Sequence, residues 1–122
     1  MPEKPELGGR RVLVVEDEYY IASDTARALQ GAGALILGPF ASEDAARNQV
    51  EGQQVDAALV DINLGRGPSF ELADLLLQRG VPFVFVTGYD QEVIPEKFAK
   101  IERLQKPVQI RQMVDAVARL LS

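Results

Sequence analysis

VLVV at residues 12–15 is a short uninterrupted apolar run, and EDEYY at 16–20 ends it abruptly. A half-buried strand alternates apolar and polar residues, whereas a strand covered on both faces reads as continuous. Residues 12–15 are therefore expected to be a strand in the interior of a sheet. Just beyond, Ile21, Thr25, Ala28, Leu29 and Ala32 fall on one helical face, and Gly31 and Gly33 end that helix.

The same unit recurs along the chain. ALIL (34–37) is a second strand closed by Gly38-Pro39, and Ser42 can cap a helix over 43–51, with Glu43 and Asp44 in its dipole-favoured first turn. AALV (57–60) is a third strand, followed by the loop INLGRGPS and a helix over 69–79. FVFV (83–86) is a fourth strand, followed by Thr87-Gly88-Tyr89 and a short helix near 95–100. A poor strand at 102–105 precedes Lys106-Pro107, and the last helix, 108–121, aligns Ile110, Met113, Val114, Val117 and Leu121. Five strand–helix units with continuous apolar strands predict an α/β fold, a doubly wound parallel sheet with helices on both faces. Residues 1–10 (MPEKPELGGR) read as a flexible leader and 11–122 as one domain.

Composition narrows the chemistry. The 122 residues contain no His and no Cys, which removes imidazole bases, thiolate nucleophiles, disulfides and His- or Cys-ligated metals. What remains is carboxylates, hydroxyls, Lys and Arg, with a hard, oxygen-bound cation. The net charge of −5 argues against broad nucleic-acid binding. Residues 1–91 hold seven bases against 14 acids, while residues 92–122 hold six against four. That basic tail, with Arg103, Arg111 and Arg119, is a candidate partner-facing surface. The longest apolar runs are too short to cross a bilayer, and no signal-peptide pattern opens the sequence, so the expected compartment is the cytoplasm.

A doubly wound sheet binds its ligands outside the carboxyl ends of the strands. Glu16 and Asp17 follow the first strand, Asp61 the third, Thr87 the fourth and Lys106 the fifth. Each has an ordinary reading alone: a solvated turn, a cap, a strand residue, a surface lysine. Together they place three carboxylates, a hydroxyl and an ammonium on one edge. Two such carboxylates about 4 Å apart repel by roughly 4 kcal/mol at an effective dielectric of about 20. A cluster of this kind suits Mg²⁺, and Lys106 would offset further charge.

VLVVEDE (12–18), ALVDINL (58–64), FVFVTGY (83–89) and LQKPV (104–108) together resemble the CheY-like receiver domain of two-component response regulators, over residues 11–121. The resemblance implies the flavodoxin-like strand order 2-1-3-4-5. It implies Asp61 as phosphoacceptor and Mg²⁺ held by Asp17, Asp61, the Asn63 carbonyl and, through water, Glu16. Thr87 would hydrogen-bond the phosphoryl group, Lys106 would pair with it, and the Lys106–Pro107 bond would be cis. The implied partners are a histidine kinase or histidine phosphotransfer protein and a downstream output protein, the receiver being a monomer or weak homodimer. The resemblance implies no enzyme activity beyond catalysing its own phosphorylation and dephosphorylation. PFVFVTGY (82–89) is similar to the receiver subgroup with a Phe-Ala-Thr-Gly-Tyr motif, with Val86 replacing Ala. Most receivers carry Tyr or Phe three residues before the Lys; here Arg103 stands there. Tyr89 is then the candidate mobile aromatic of the switch.

Two other readings are compatible with carboxylates on strand ends. A Toprim-like Mg²⁺-dependent nuclease or topoisomerase module needs Asp-x-Asp, where this chain has Asp61-Ile62-Asn63. A phosphorylation-independent interaction domain would leave the acidic site unused.

Overall fold

The computed structural model describes residues 6–62, 70–88 and 94–122. Five parallel strands, β1 (Arg11–Val15), β2 (Leu35–Phe40), β3 (Ala57–Asp61), β4 (Phe83–Thr87) and β5 (Arg103–Gln105), form one sheet in the order 2-1-3-4-5. Four α-helices accompany them among the described residues: α1 (Tyr19–Gly31), α2 (Glu43–Gly52), α3 (Glu71–Gln78) and α4 (Ile110–Leu121).

The continuous runs are buried on both sides, as expected of interior strands. Val12 and Val14 of β1, Leu59 of β3 and Val84 and Val86 of β4 pack with Leu29, Met113 and Val117 of α1 and α4. Their neighbours Leu13, Val15, Val60, Phe83 and Phe85 point the other way, onto Ala46, Val50, Leu72 and Leu76 of α2 and α3. Alternation of side chains in a pleat thus supplies two cores from one run of sequence.

α2 begins where the sequence places it. Ser42 Oγ accepts the Ala45 N–H at 3.3 Å, and Glu43 and Asp44 occupy the first turn. Glu43 also accepts the Leu72 N–H at 2.9 Å, fastening α2 to the start of α3. Replacing Ser42 by Ala is expected to cost about 1 kcal/mol in urea unfolding, since one orphan N–H of the first turn loses its acceptor.

Four expectations change. β2 does not close at Gly38-Pro39 but runs through to Phe40. A proline is admissible because β2 is an edge strand, where a missing N–H breaks no second ladder. The helix near 95–100 is a single 3-10 turn at Glu96–Phe98. So short a segment has little stability of its own. It is held by Phe98, 1% exposed, whose ring meets Phe83 and Phe85 edge-on and Phe70 stacked, at centroid separations of 5.6–6.2 Å.

The leader does not extend to residue 6. Leu7 is fully buried in the α1–α4 core, and its N–H bonds the Ala32 carbonyl at 2.8 Å. An aliphatic residue in a polar stretch finds a gap beside α1, so residues 7–9 pack with the domain. Finally, two arginines of the basic tail are already engaged: Arg111 with Glu6 and Asp115, and Arg119 with Glu102. Exposed pairs contribute little stability, but they neutralise the charge the tail was expected to offer a partner.

Candidate functional site

A parallel sheet puts every strand's carboxyl end on one edge, and that edge gathers the candidates. Asp61 is the last residue of β3 and Thr87 the last of β4, in the adjacent strand. Glu16 leaves β1 directly, with its N–H donated to the Phe40 carbonyl at 2.9 Å. Lys106 follows β5, and its N–H is donated to the Thr87 carbonyl at 2.8 Å. The Lys106–Pro107 bond is cis, as the resemblance implies.

The side chains converge as well as the backbone. Lys106 Nζ donates to Asp61 Oδ2 at 2.9 Å and lies 3.2 and 3.3 Å from the two Glu16 oxygens. The Glu18 N–H donates to Glu16 Oε2 at 3.1 Å. Asp61 is 1% exposed, Glu16 6% and Thr87 5%, whereas Asp17 faces solvent. The site is therefore a buried pair of carboxylates bridged by an ammonium, with a third carboxylate at its mouth.

The electrostatics reflect that crowding. Burial, followed by the hydrogen-bonded contact with Asp61, pushes the Glu16 carboxyl up to about 7 against the opposing pull of the Glu18 N–H and Lys106. For Lys106, burial works against the charge, but Asp61 and Glu16 together outweigh it and hold the ammonium above its usual value. Lys106 is thus a fixed positive charge facing a group of three carboxylates, of which burial and the contact with Asp61 hold Glu16 toward its neutral form.

One carboxylate oxygen from each of Glu16, Asp17 and Asp61 lies within 4.8 Å of the other two. Ligands on an octahedral Mg²⁺ at about 2.1 Å stand at most about 4.2 Å apart, so a small inward shift or one intervening water seats the ion. All-oxygen donors and uncompensated charge fit a small hard cation. Glu16, Asp17 and Asp61 are the carboxylates that could hold it, Asp17 from the solvent side. Asn63 and Tyr89 lie outside the described residues. Arg103 is exposed on β5, opposite Phe85 in the ladder.

The sequence did not announce a cleft of about 480 Å³ that opens beside Glu16 and Asp17. It runs along α1 past Tyr19, Ala22 and Arg27, with Pro39 and Ala41 opposite. Ala22, Ser23 and Ala26, small residues about one turn apart on α1, line it, and they lie outside the apolar face read from the sequence. Tyr19 and Tyr20 stand out from the same helix end, 75% and 80% exposed and edge-to-face with each other.

Comparison with known proteins agrees with this arrangement. The chain is similar to the transcriptional regulatory protein PdtaR of Mycobacterium tuberculosis, 28% identical over 112 residues, which are 88% of this chain and 55% of that protein. It is similar to the phyllosphere-induced regulator PhyR of Methylorubrum extorquens, 33% identical over 95 residues, 75% of this chain and 34% of that one. The chain thus spans about half or less of the length of these curated relatives. Among solved structures, SdrG from Sphingomonas melonis Fr1 superposes with a TM-score of 0.72 at 32% identity, covering 93% of this chain and 98% of that one. The BeF3-activated conformation of SdrG from Pseudomonas melonis Fr1 gives 0.71 at 32% identity, covering 92% and 96%. The family profile of the response regulator receiver domain matches residues 12–118. With the five-stranded order, the edge cluster and this match together, the chain belongs to the response regulator receiver domain family.

Proposed function

We propose that this receiver takes a phosphoryl group onto Asp61 from a phosphorylated histidine of a kinase or phosphotransfer protein in the cytoplasm. The observation that carries the reading is the buried Asp61 carboxylate, 2.9 Å from Lys106 Nζ, among the Glu16 and Asp17 carboxylates. A nucleophile, a fixed cation and an acidic ion site on one edge are what phosphoryl transfer to a carboxylate requires. That SdrG has a BeF3-activated conformation also supports it, since such a fluoride mimics a phosphoryl group.

On this reading an Asp61 oxygen attacks phosphorus in line with the phosphorus–nitrogen bond of the donor. That bond breaks, its electron pair stays on the imidazole nitrogen, and an aspartyl phosphate forms. Lys106 then pairs with a phosphoryl oxygen. Asp17, Asp61 and the Asn63 carbonyl would hold Mg²⁺, with Glu16 acting through water, and the bound ion would neutralise further oxygen charge. Thr87 donates its hydroxyl to the new acceptor oxygens, and Tyr89, two positions on, moves with it and changes the surface offered to an output protein.

The test is direct. The protein is incubated with a small phosphodonor and Mg²⁺, and the product is mapped by mass. One added phosphoryl group on Asp61, dependent on Mg²⁺, is the expected result. Modification elsewhere, or none under conditions where another receiver is labelled, overturns the reading.

A further inference from the structure

The edge strand does not pair uniformly with its neighbour. Arg11, Val12 and Leu13 of β1 stand opposite Leu35, Ile36 and Leu37, but Val15 stands opposite Phe40. Between those two points β2 uses one more residue than β1. The excess is taken up at Gly38-Pro39, where Gly38 has a φ of +102°. That is a conformation an L side chain rarely adopts, and there is no room for one. A Cβ at position 38 would lie 2.7 Å from the Phe40 nitrogen, 2.8 Å from the Phe40 ring and 2.9 Å from the Val14 carbonyl oxygen. Two of these three contacts are backbone, so a change of side-chain rotamer cannot relieve them.

The consequence is felt at the site. The Phe40 carbonyl accepts the Glu16 N–H at 2.9 Å, at the point where the chain leaves β1. From there Glu16 sends its carboxylate to Lys106, and Asp17 turns its own toward the same space. Val14, the other backbone atom crowding Gly38, is two residues before Glu16. The irregularity in β2 and the acidic turn after β1 are therefore one mechanical unit.

We propose that Gly38 is a positioning residue for the acidic site: the kink it permits in β2 sets the Phe40 carbonyl, which fixes the Glu16 backbone and with it the placement of the Glu16 and Asp17 carboxylates for a divalent cation. The ion-binding part rests on the function proposed above; the backbone part does not. Gly31 and Gly52 serve as controls, because a Cβ at either meets nothing within 4 Å.

The test is Gly38→Ala in the full chain, read in two ways. Mg²⁺ is titrated by calorimetry, and backbone hydrogen exchange is measured by NMR without Mg²⁺. Disturbing the partner of a ligand typically weakens metal binding about 10- to 100-fold, and a weakening in that range is expected here. The Glu16 amide should exchange faster, while those of Leu59 and Val84 stay protected. Gly31→Ala should leave both readouts unchanged. Wild-type Mg²⁺ affinity and Glu16 protection in a folded Gly38→Ala protein overturn the proposal. Should that variant not fold, one glycine inserted between Gly38 and Pro39 moves the Phe40 carbonyl along an edge strand that can bulge outward. Unchanged Mg²⁺ binding and Glu16 exchange there overturn it equally. Failure of the wild type to bind Mg²⁺ would sink the proposed function, and the exchange measurement would still decide the role of Gly38.

Discussion

Asp61→Asn is expected to take up no phosphoryl group from a small phosphodonor, whatever the Mg²⁺ concentration. Asparagine keeps the shape of the side chain and can still accept a hydrogen bond from Lys106, so the protein should fold. What it lacks is a carboxylate oxygen able to form an acyl phosphate. Lys106→Ala separates a second contribution. Asp61 remains, but the ammonium 2.9 Å from it is gone. Removing one preorganised donor aimed at developing oxygen charge typically costs about 10²–10³ in rate, and a loss of that size is expected in the initial rate of labelling. Intact-mass kinetics on the wild type and both variants measure this. Labelling of Asp61→Asn at the wild-type rate would remove Asp61 as acceptor, and wild-type kinetics in Lys106→Ala would remove Lys106 from the chemistry.

The site was legible because its geometry follows from topology. Once VLVV, AALV and FVFV are read as strands covered on both faces, their parallel order places Glu16, Asp61 and Thr87 on one edge without knowledge of any contact. Lys106 follows from the same argument, although β5 has only three residues and a weak pattern. What stayed hidden depends on partners far along the chain. Leu7 looks like one apolar residue in a polar leader until α1 and α4 offer it a gap. Gly38-Pro39 reads as a stop because those residues end most strands, and only the edge position of β2 lets the strand continue. Phe98 looks like part of a weak helix, yet its ring belongs to the aromatic group beneath β4. Arg111 and Arg119 count as free charge in the sequence and as paired charge in the structure, because Glu6 and Glu102 approach from other elements.

Glu16 gives the second large effect, and it is on stability. Its carboxyl is raised from 4.5 to about 7 by burial and by contact with Asp61. A raised folded-state value means that the native protein holds the proton more tightly than the unfolded chain. That contribution is fully present below about pH 4.5 and is lost as pH rises through 7. Metal-free protein should therefore become less stable between about pH 5 and 8, relative to Glu16→Gln, by on the order of 2–3 kcal/mol. Asp56 does not confound this window, because its hydrogen bond from the Arg11 N–H lowers its value and its contribution is lost only as pH falls. A cation held by the neighbouring carboxylates favours ionised Glu16, so saturating Mg²⁺ should flatten or reverse the slope. Urea midpoints at several pH values, with and without Mg²⁺, for wild type and Glu16→Gln, measure it. Parallel slopes in the two proteins, indifferent to Mg²⁺, would mean that Glu16 is already ionised in the native state and that Lys106, not burial, governs its charge.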